Sequence, residues 1–297
     1  MAIFKVVFVV ALVAIFDVKG DDAKDYLTKY GYYNPFAFDG GDGMATAIKQ
    51  FQTFHQLPVT GVLDTATKDE MSKPRCGMSD VVSTNAYFAT RGKWRTTQLT
   101  YYFENTGRDL AMNVVKNEIK KAFDMWAAVT PLTFREVSSR GHINIGWYVG
   151  NHGDNGPFER RRGGVLAHAY FPENGRLHFD EYEDWAVNGN RGTDLLWVAV
   201  HEIGHALGLQ HSRVSGTIMW PTYYGYKAGL KLHQDDISGI QSLYGRGTGG
   251  TGTGGTGTGG GNCNNNHNRC EEWANRGECR INPRWMLVNC KKSCRQC

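Results

Sequence analysis

The spacing of apolar and polar positions changes period several times along the chain, and each change marks an element. In 43–71, Ala45, Ile48, Phe51 and Gln52/Phe54 recur at helical intervals and gather on one face, predicting a helix. The turn chemistry of "LPVTGVLD" ends it, and Asp64 or Thr65 stands ready to cap a second, short helix. The region ahead of Cys76 therefore reads as a small helical domain. Beyond it, "QLTYYFEN" (98–105) alternates with period two and predicts a strand. Positions 112–129 return to an amphipathic helical period that Pro131 ends. "LTFREV" and "HINIGWYV" predict further strands, and "GGVLAHAYF" and "RLHFDEY" two more around the turn "PENG". A helix follows in "GTDLLWVAVHEIGHALGL", capped by Thr193 or Asp194, and a last helix, about 234–244, closes this α+β region.

The two ends differ in kind. Lys5 precedes an apolar run, Val6–Phe16, and Val18 and Gly20 sit at the −3 and −1 positions of a cut after Gly20, so residues 1–20 read as a secretory signal peptide. The run is too short to cross a bilayer comfortably, and no later stretch is long and apolar enough to span one, so no transmembrane anchor is expected. Near the other end, 246–262 is almost entirely Gly and Thr and reads as a flexible tether. The formal charge is +4, and the seven Lys/Arg and three Glu between Cys263 and Cys297 account for all of it. A near-neutral remainder with a small basic tail does not suggest a nucleic-acid binder. Six of the 7 cysteines lie in that tail, which in an exported chain implies a disulfide framework. Cys76, in "KPRCGMSD", is left without a partner by this arithmetic.

The strongest chemical signal is "HEIGHALGLQH", His201 to His211. On a helix, His201 and His205 leave the same face one turn apart and can reach one ion. Gly208 ends the helix cheaply, because glycine tolerates positive φ, and lets the chain return His211 as a third ligand. Three neutral nitrogens leave one tetrahedral position open, the arrangement of a catalytic zinc. Glu202, beside the first ligand, can take a proton from water made acidic by the ion. Met219, in "GTIMWP", fits either plain core packing or a turn that packs its thioether beneath the ligands.

These residues resemble the metzincin signature, H-E-x-x-H-x-x-G-x-x-H followed by a methionine turn. Ser212 directly after His211, "PRCGMSD", "VTPLTF", "HGDNGPF", "LAHAYFP", "HFDEYEDW" and "DDISGIQSLYG" are similar to motifs of the matrix metalloproteinase branch, over about 26–245. The resemblance implies a catalytic domain, 87–245, built on a twisted mixed sheet with long helices, behind a pro-domain, 21–86. It implies a secreted zinc endopeptidase acting on extracellular matrix proteins. It also implies latency through Cys76, whose thiolate would bind the catalytic zinc in place of water, with Arg75 and Asp80 pairing to hold the loop. Ser79 stands where the family has proline, which predicts a less rigid loop. No Arg-rich site lies between Cys76 and Trp94, so another protease is expected to activate the chain by cutting near 85–88.

The same resemblance implies a second, structural zinc on His152, Asp154, His168 and His178, a ligand set with no open position. It implies one calcium, on Glu159, Asp180 and Glu183, although "ERRRGG" carries an extra residue and three arginines there. A second calcium is not expected. Substrate would pair with the edge strand 164–169, including Ala167, and the S1′ wall would form around His201, Pro221 and Tyr223. Trp197, four residues before His201, predicts a shallow S1′ pocket. The spacing C-x6-C-x8-C-x10-C-x3-C-x2-C resembles the ShKT domain of sea-anemone toxins and secreted proteases, and six cysteines allow 15 pairings. The family pattern would join Cys263 to Cys297, Cys270 to Cys290 and Cys279 to Cys294. In place of the toxins' Lys-Tyr dyad the chain has Arg284–Trp285. A different class of function remains open at this point: a toxin-like or matrix-binding protein acting on an ion channel or matrix target through this tail. The complete ligand set with Glu202 favours the enzyme. A propeller-like C-terminal domain is not present in the sequence, so cleavage of native collagen is not expected.

Overall fold

A computed structural model of the chain describes residues 20–35, 43–81, 92–247, 265, 270–281, 286 and 290–295. The leader before Gly20, the expected cleavage segment 85–88, most of the tether, Arg284–Trp285, Cys263 and Cys297 lie outside the described residues.

The helical domain holds α1 (Gly20–Lys29), α2 (Gly43–Phe54) and α3 (Thr65–Met71). The inward face of α2 is Ala47, Ile48, Phe51, Gln52 and Phe54, packed on Ala23, Leu27 and Tyr30. Ala45, predicted on that face, is only half-buried; Ala47 takes its place. Gln52 is buried because it staples the turn that the sequence marks: its amide donates to Thr60 Oγ1, Val62 O and Thr67 Oγ1 and accepts from the Thr60 and Gly61 N–H groups. Asp64 caps α3, accepting from Thr67 N–H at 2.9 Å.

The second region contains β1 (Arg75–Cys76), β2 (Gln98–Phe103), α4 (Met112–Ala127), β3 (Thr133–Glu136), β4 (Ile143–Tyr148), β5 (Val165–Ala169), β6 (Arg176–Asp180), β7 (Trp185–Ala186), β8 (Thr193–Asp194), α5 (Leu195–Ala206) and α6 (Gln234–Tyr244). The six-stranded sheet runs β1-β5-β6-β4-β2-β3, and β5 against β6 is its antiparallel pair. β7 and β8 form a separate two-stranded pair. α4 turns Val115, Ile119, Ala122, Phe123 and Trp126 inward, and Trp126 Nε1 donates to Val200 O at 3.0 Å, tying it to α5. α5 is buried along nearly its whole length between α4 and the β5–β6 strands. Asp194, not Thr193, caps it, accepting from Trp197 N–H at 2.9 Å. In the tail, α7 (Cys270–Asn275) and α8 (Glu278–Ile281) are stapled by Cys270–Cys290 and Cys279–Cys294 around Trp273 and Met286.

β1 joins the two regions. The segment that carries Cys76 adds to the sheet as its sixth strand, parallel to β5, with Arg75 opposite Val165 and Cys76 opposite Ala167.

Candidate active site

α5 carries His201, Glu202 and His205 into the interior. The helix stops at Gly208, whose φ of +108° and 2.4 Å approach of a Cβ to Gly92 O leave no room for a side chain. The chain turns back and delivers His211. The ligand-capable atoms of Cys76, His201, His205 and His211 all lie within 4.8 Å of one another, and all four residues are buried.

The tautomers follow from the partners. His201 Nδ1–H donates to Ile218 O and His205 Nδ1–H to Leu209 O, both at 2.7 Å, since a carbonyl can only accept. His211 Nδ1–H donates to the Asp80 carboxylate at 2.7 Å. Each Nε2 therefore keeps its lone pair, and all three Nε2 atoms are buried without a hydrogen-bond partner. Burial holds His201 down to about 3, helped by His211, and lowers His205 and His211, so the imidazoles stay neutral. Burial pushes Glu202 up to about 8 and the Cys76 thiol well above its usual range. Three orphaned nitrogens converging with a thiol are a donor set for zinc.

Met219 lies directly beneath. A Cβ added at Gly204 would meet Met219 Sδ at 2.4 Å, so the helix glycine exists to let the thioether in. The turn is held by Asp236, at the start of α6, whose carboxylate accepts from the N–H groups of Ile218, Met219 and His233 at 2.9, 3.1 and 2.8 Å. Asp236 was not among the site residues named from the sequence, although it lies in the motif "DDISGIQSLYG".

The second cluster is His152, Asp154, His168 and His178. Asp154 Oδ2 lies 2.9, 2.7 and 2.7 Å from a ring nitrogen of each histidine in turn. His152 Nδ1–H donates to Gly150 O at 2.8 Å, so in the neutral imidazole that a metal needs, the Nε2 lone pair points at that carboxylate oxygen. Two acceptors face to face at this range fit a shared cation. Of the acids expected for calcium, Asp180 and Glu183 are buried side by side, while Glu159 pairs with Arg161 at 2.5 Å. Burial, then repulsion from Glu183 and Glu159, pushes Asp180 up to about 7. Glu183 is also spoken for in part, accepting from Gly163 N–H and Thr193 Oγ1.

Trp197 stacks on His201, with centroids 5.5 Å apart, and meets Tyr223 edge-on at 5.2 Å. Pro221 O accepts from Cys76 N–H, and Ala167 O from Gly77 N–H. Arg75 and Asp80 pair at 2.5 Å, with Tyr32 OH donating to the second Asp80 oxygen. The loop expected to be slack at Ser79 is tied: the Ser79 hydroxyl lies 3.0 Å from Tyr30 O and 3.1 Å from Val81 O, over Gly31.

Among the described residues Cys76 is the free cysteine. Tail pairs Cys270–Cys290 and Cys279–Cys294 form as the ShKT pattern implies.

A histidine pair on a buried helix, a third histidine past a glycine turn and a methionine packed below define a class, the zinc metalloendopeptidase domains. The chain belongs to the matrixin family: the profile described as Matrixin matches residues 93–245. A peptidoglycan-binding-domain profile matches 21–71, the helical domain, and an ShK domain-like profile matches 262–297. Relatives include matrix metalloproteinase-C of Caenorhabditis elegans, 40% identical over 255 residues, which cover 77% of this chain and 44% of that protein. The hatching enzyme of Paracentrotus lividus is 42% identical over 231 residues, 76% of this chain and 39% of that protein. Matrilysin of Homo sapiens is 38% identical over 235 residues, 77% of this chain and 87% of that protein. The chain thus spans less than half of the length of the first two relatives.

Proposed function

We propose that the chain is a secreted zymogen that hydrolyses peptide bonds in extracellular proteins, with the domain limits 21–86, 87–245 and 263–297 read from the sequence and a leader and tether outside them. The observation that carries this reading is the convergence of three orphaned Nε2 atoms on the Cys76 thiol with Glu202 alongside. His201, His205 and His211 would hold the catalytic zinc, and His152, Asp154, His168 and His178 a structural one. When bound, the catalytic ion supplies Lewis acidity, polarising a carbonyl and making water nucleophilic near neutral pH.

The chain's own residues do the rest. Glu202 takes the proton from attacking water and delivers it to the leaving amine. β5, with Ala167, offers backbone groups to an extended peptide once β1 has left. Trp197, Pro221 and Tyr223 bound the S1′ space, and the Trp197 indole against His201 limits it to small or medium apolar side chains. Met219 and Asp236 hold the floor. Cys76 keeps the zymogen silent by filling the place that water needs, and an external protease releases it. Asp180 and Glu183, with Glu159, would take one calcium. The ShKT-like tail would dock on a matrix or ion-channel target. No helix among the described residues is long and apolar enough to cross a membrane.

The test uses protein with the pro-domain removed. Glu202→Ala is expected to lower peptide hydrolysis by about 10²–10⁴-fold at unchanged zinc content, the range of a lost general base. Hydrolysis persisting in that variant would sink the mechanism.

A further inference from the structure

The direction of the cleft is fixed by four backbone hydrogen bonds. On one bank Cys76 N–H donates to Pro221 O at 3.0 Å, and Tyr223 N–H donates to Pro74 O at 2.9 Å. On the other, Gly77 N–H donates to Ala167 O at 2.8 Å and Arg75 N–H to Gly164 O at 3.0 Å. Moving from Cys76 towards Pro74 therefore moves along the wall from Pro221 to Tyr223, and along the opposite bank from Ala167 back to Gly164. A peptide whose P1′ side chain enters beside the Trp197–Tyr223 pair leaves along this strip, with its next residues between Gly164 and Tyr224.

In the zymogen a pro-domain carboxylate, Glu70, covers one bank of the strip. Thr222 and Tyr224 alternate with Tyr223 and face away from Trp197. Their hydroxyls both donate to one oxygen, Glu70 Oε1, at 2.9 and 3.0 Å. Glu70 Oε2 accepts from Lys73 Nζ at 2.7 Å, and that ammonium lies 4.8 Å from the centre of the Tyr224 ring. Glu70 and Lys73 leave with the pro-domain; the two hydroxyls stay, aimed at one point. Across the strip, Glu159, Arg161, Gly163 and Gly164 line a cleft of about 370 Å³ whose pro-domain side mixes charges, Asp22, Asp25 and Lys29 of α1 with Lys73 and Arg75.

We propose that this strip selects substrates with an acidic residue two or three positions after the scissile bond. Thr222 Oγ1 and Tyr224 OH receive the substrate carboxylate where Glu70 sits in the zymogen, and Arg161 neutralises Glu159 on the opposite bank, so no carboxylate there repels it. This inference rests on the peptidase reading above.

The experiment compares peptides identical except for Glu, Gln, Ala or Lys at the second or third position after the cut. The enzyme has its pro-domain removed and is tested as wild type, as Tyr224→Phe with Thr222→Val, and as Arg161→Ala. The readout is the ratio of kcat/KM for the Glu and Ala peptides, which cancels any general loss in a variant. At one of the two positions the wild-type ratio is expected to be about tenfold, the scale of a pair of charge-assisted hydrogen bonds made in water. It is expected to fall towards one in the double variant, and Arg161→Ala is expected to lessen discrimination against Lys. A wild-type ratio near one at both positions, or a tenfold ratio surviving in the double variant, overturns the subsite while leaving the peptidase intact. Cleavage of none of the peptides overturns the peptidase reading and the subsite with it.

Discussion

At the scale of single residues, the histidine triad was legible because its information is local: a four-residue spacing on a helix and a glycine that ends it. The partners that fix the triad were not. Asp80 reaches His211 across 131 positions, and Asp236 reaches the methionine turn only once α6 has docked. Glu70 is the sharpest case, a charged residue near the end of a short helix that reads as solvated surface until a loop 152 positions away supplies Thr222. Burial alone would raise its carboxyl, but hydrogen bonds from His55, Lys73 and Thr222 outweigh that and hold it at about 2, below its ordinary 4.5. A depressed folded value means that this carboxylate contributes stability above about pH 4.5, and that the contribution is lost as pH falls towards about 2. Thermal unfolding of the intact chain should show Glu70→Gln less stable than wild type at pH 6, with the gap closing as pH drops through that window. A gap that is constant with pH would mean the carboxylate is not the stabilising form.

At the scale of elements, the sequence pattern placed the long helices and central strands, because amphipathic period and turn chemistry act over a few residues. It overshot α4 by two residues, and it did not single out α1, β7 or β8. The two short strands hold two residues each and carry too little pattern to register. The fit of α5 onto the methionine turn is tight, and it sits on Gly204. A Cβ there meets Met219 Sδ at 2.4 Å and Trp126 Cζ2 at 3.1 Å. Gly204 lies within the helix, so alanine would favour the backbone and any cost comes from packing. Gly204→Ala is expected to destabilise the protein by about 1–3 kcal/mol, the range for overpacked cores. Chemical denaturation of the chain without its pro-domain measures this, and an equal or raised midpoint would show that Met219 moves aside freely.

At the scale of the whole molecule, periodicity separated a helical front from a mixed α+β body, and composition set off the cysteine-dense tail, since each solves the burial problem differently. How the front meets the body was beyond it. Pairing of β1 with β5 is decided by register between segments some 90 positions apart, and only the assembled sheet shows the Cys76 segment lying in the cleft as a sixth strand. Further contacts between the pro-domain and the catalytic region add to that strand. Gln56 Nε2 donates to Arg213 O, Phe54 and His55 pack on Trp220, and Glu70 holds Thr222 and Tyr224. Latency is thus expected to belong to the docked pro-domain as a unit, with the thiol at its centre. The most direct measurement is peptide hydrolysis by the zinc-loaded chain before and after proteolytic removal of the pro-domain. The expected result is no turnover in the intact chain and full turnover after removal. Equal turnover in the two forms would contradict the account.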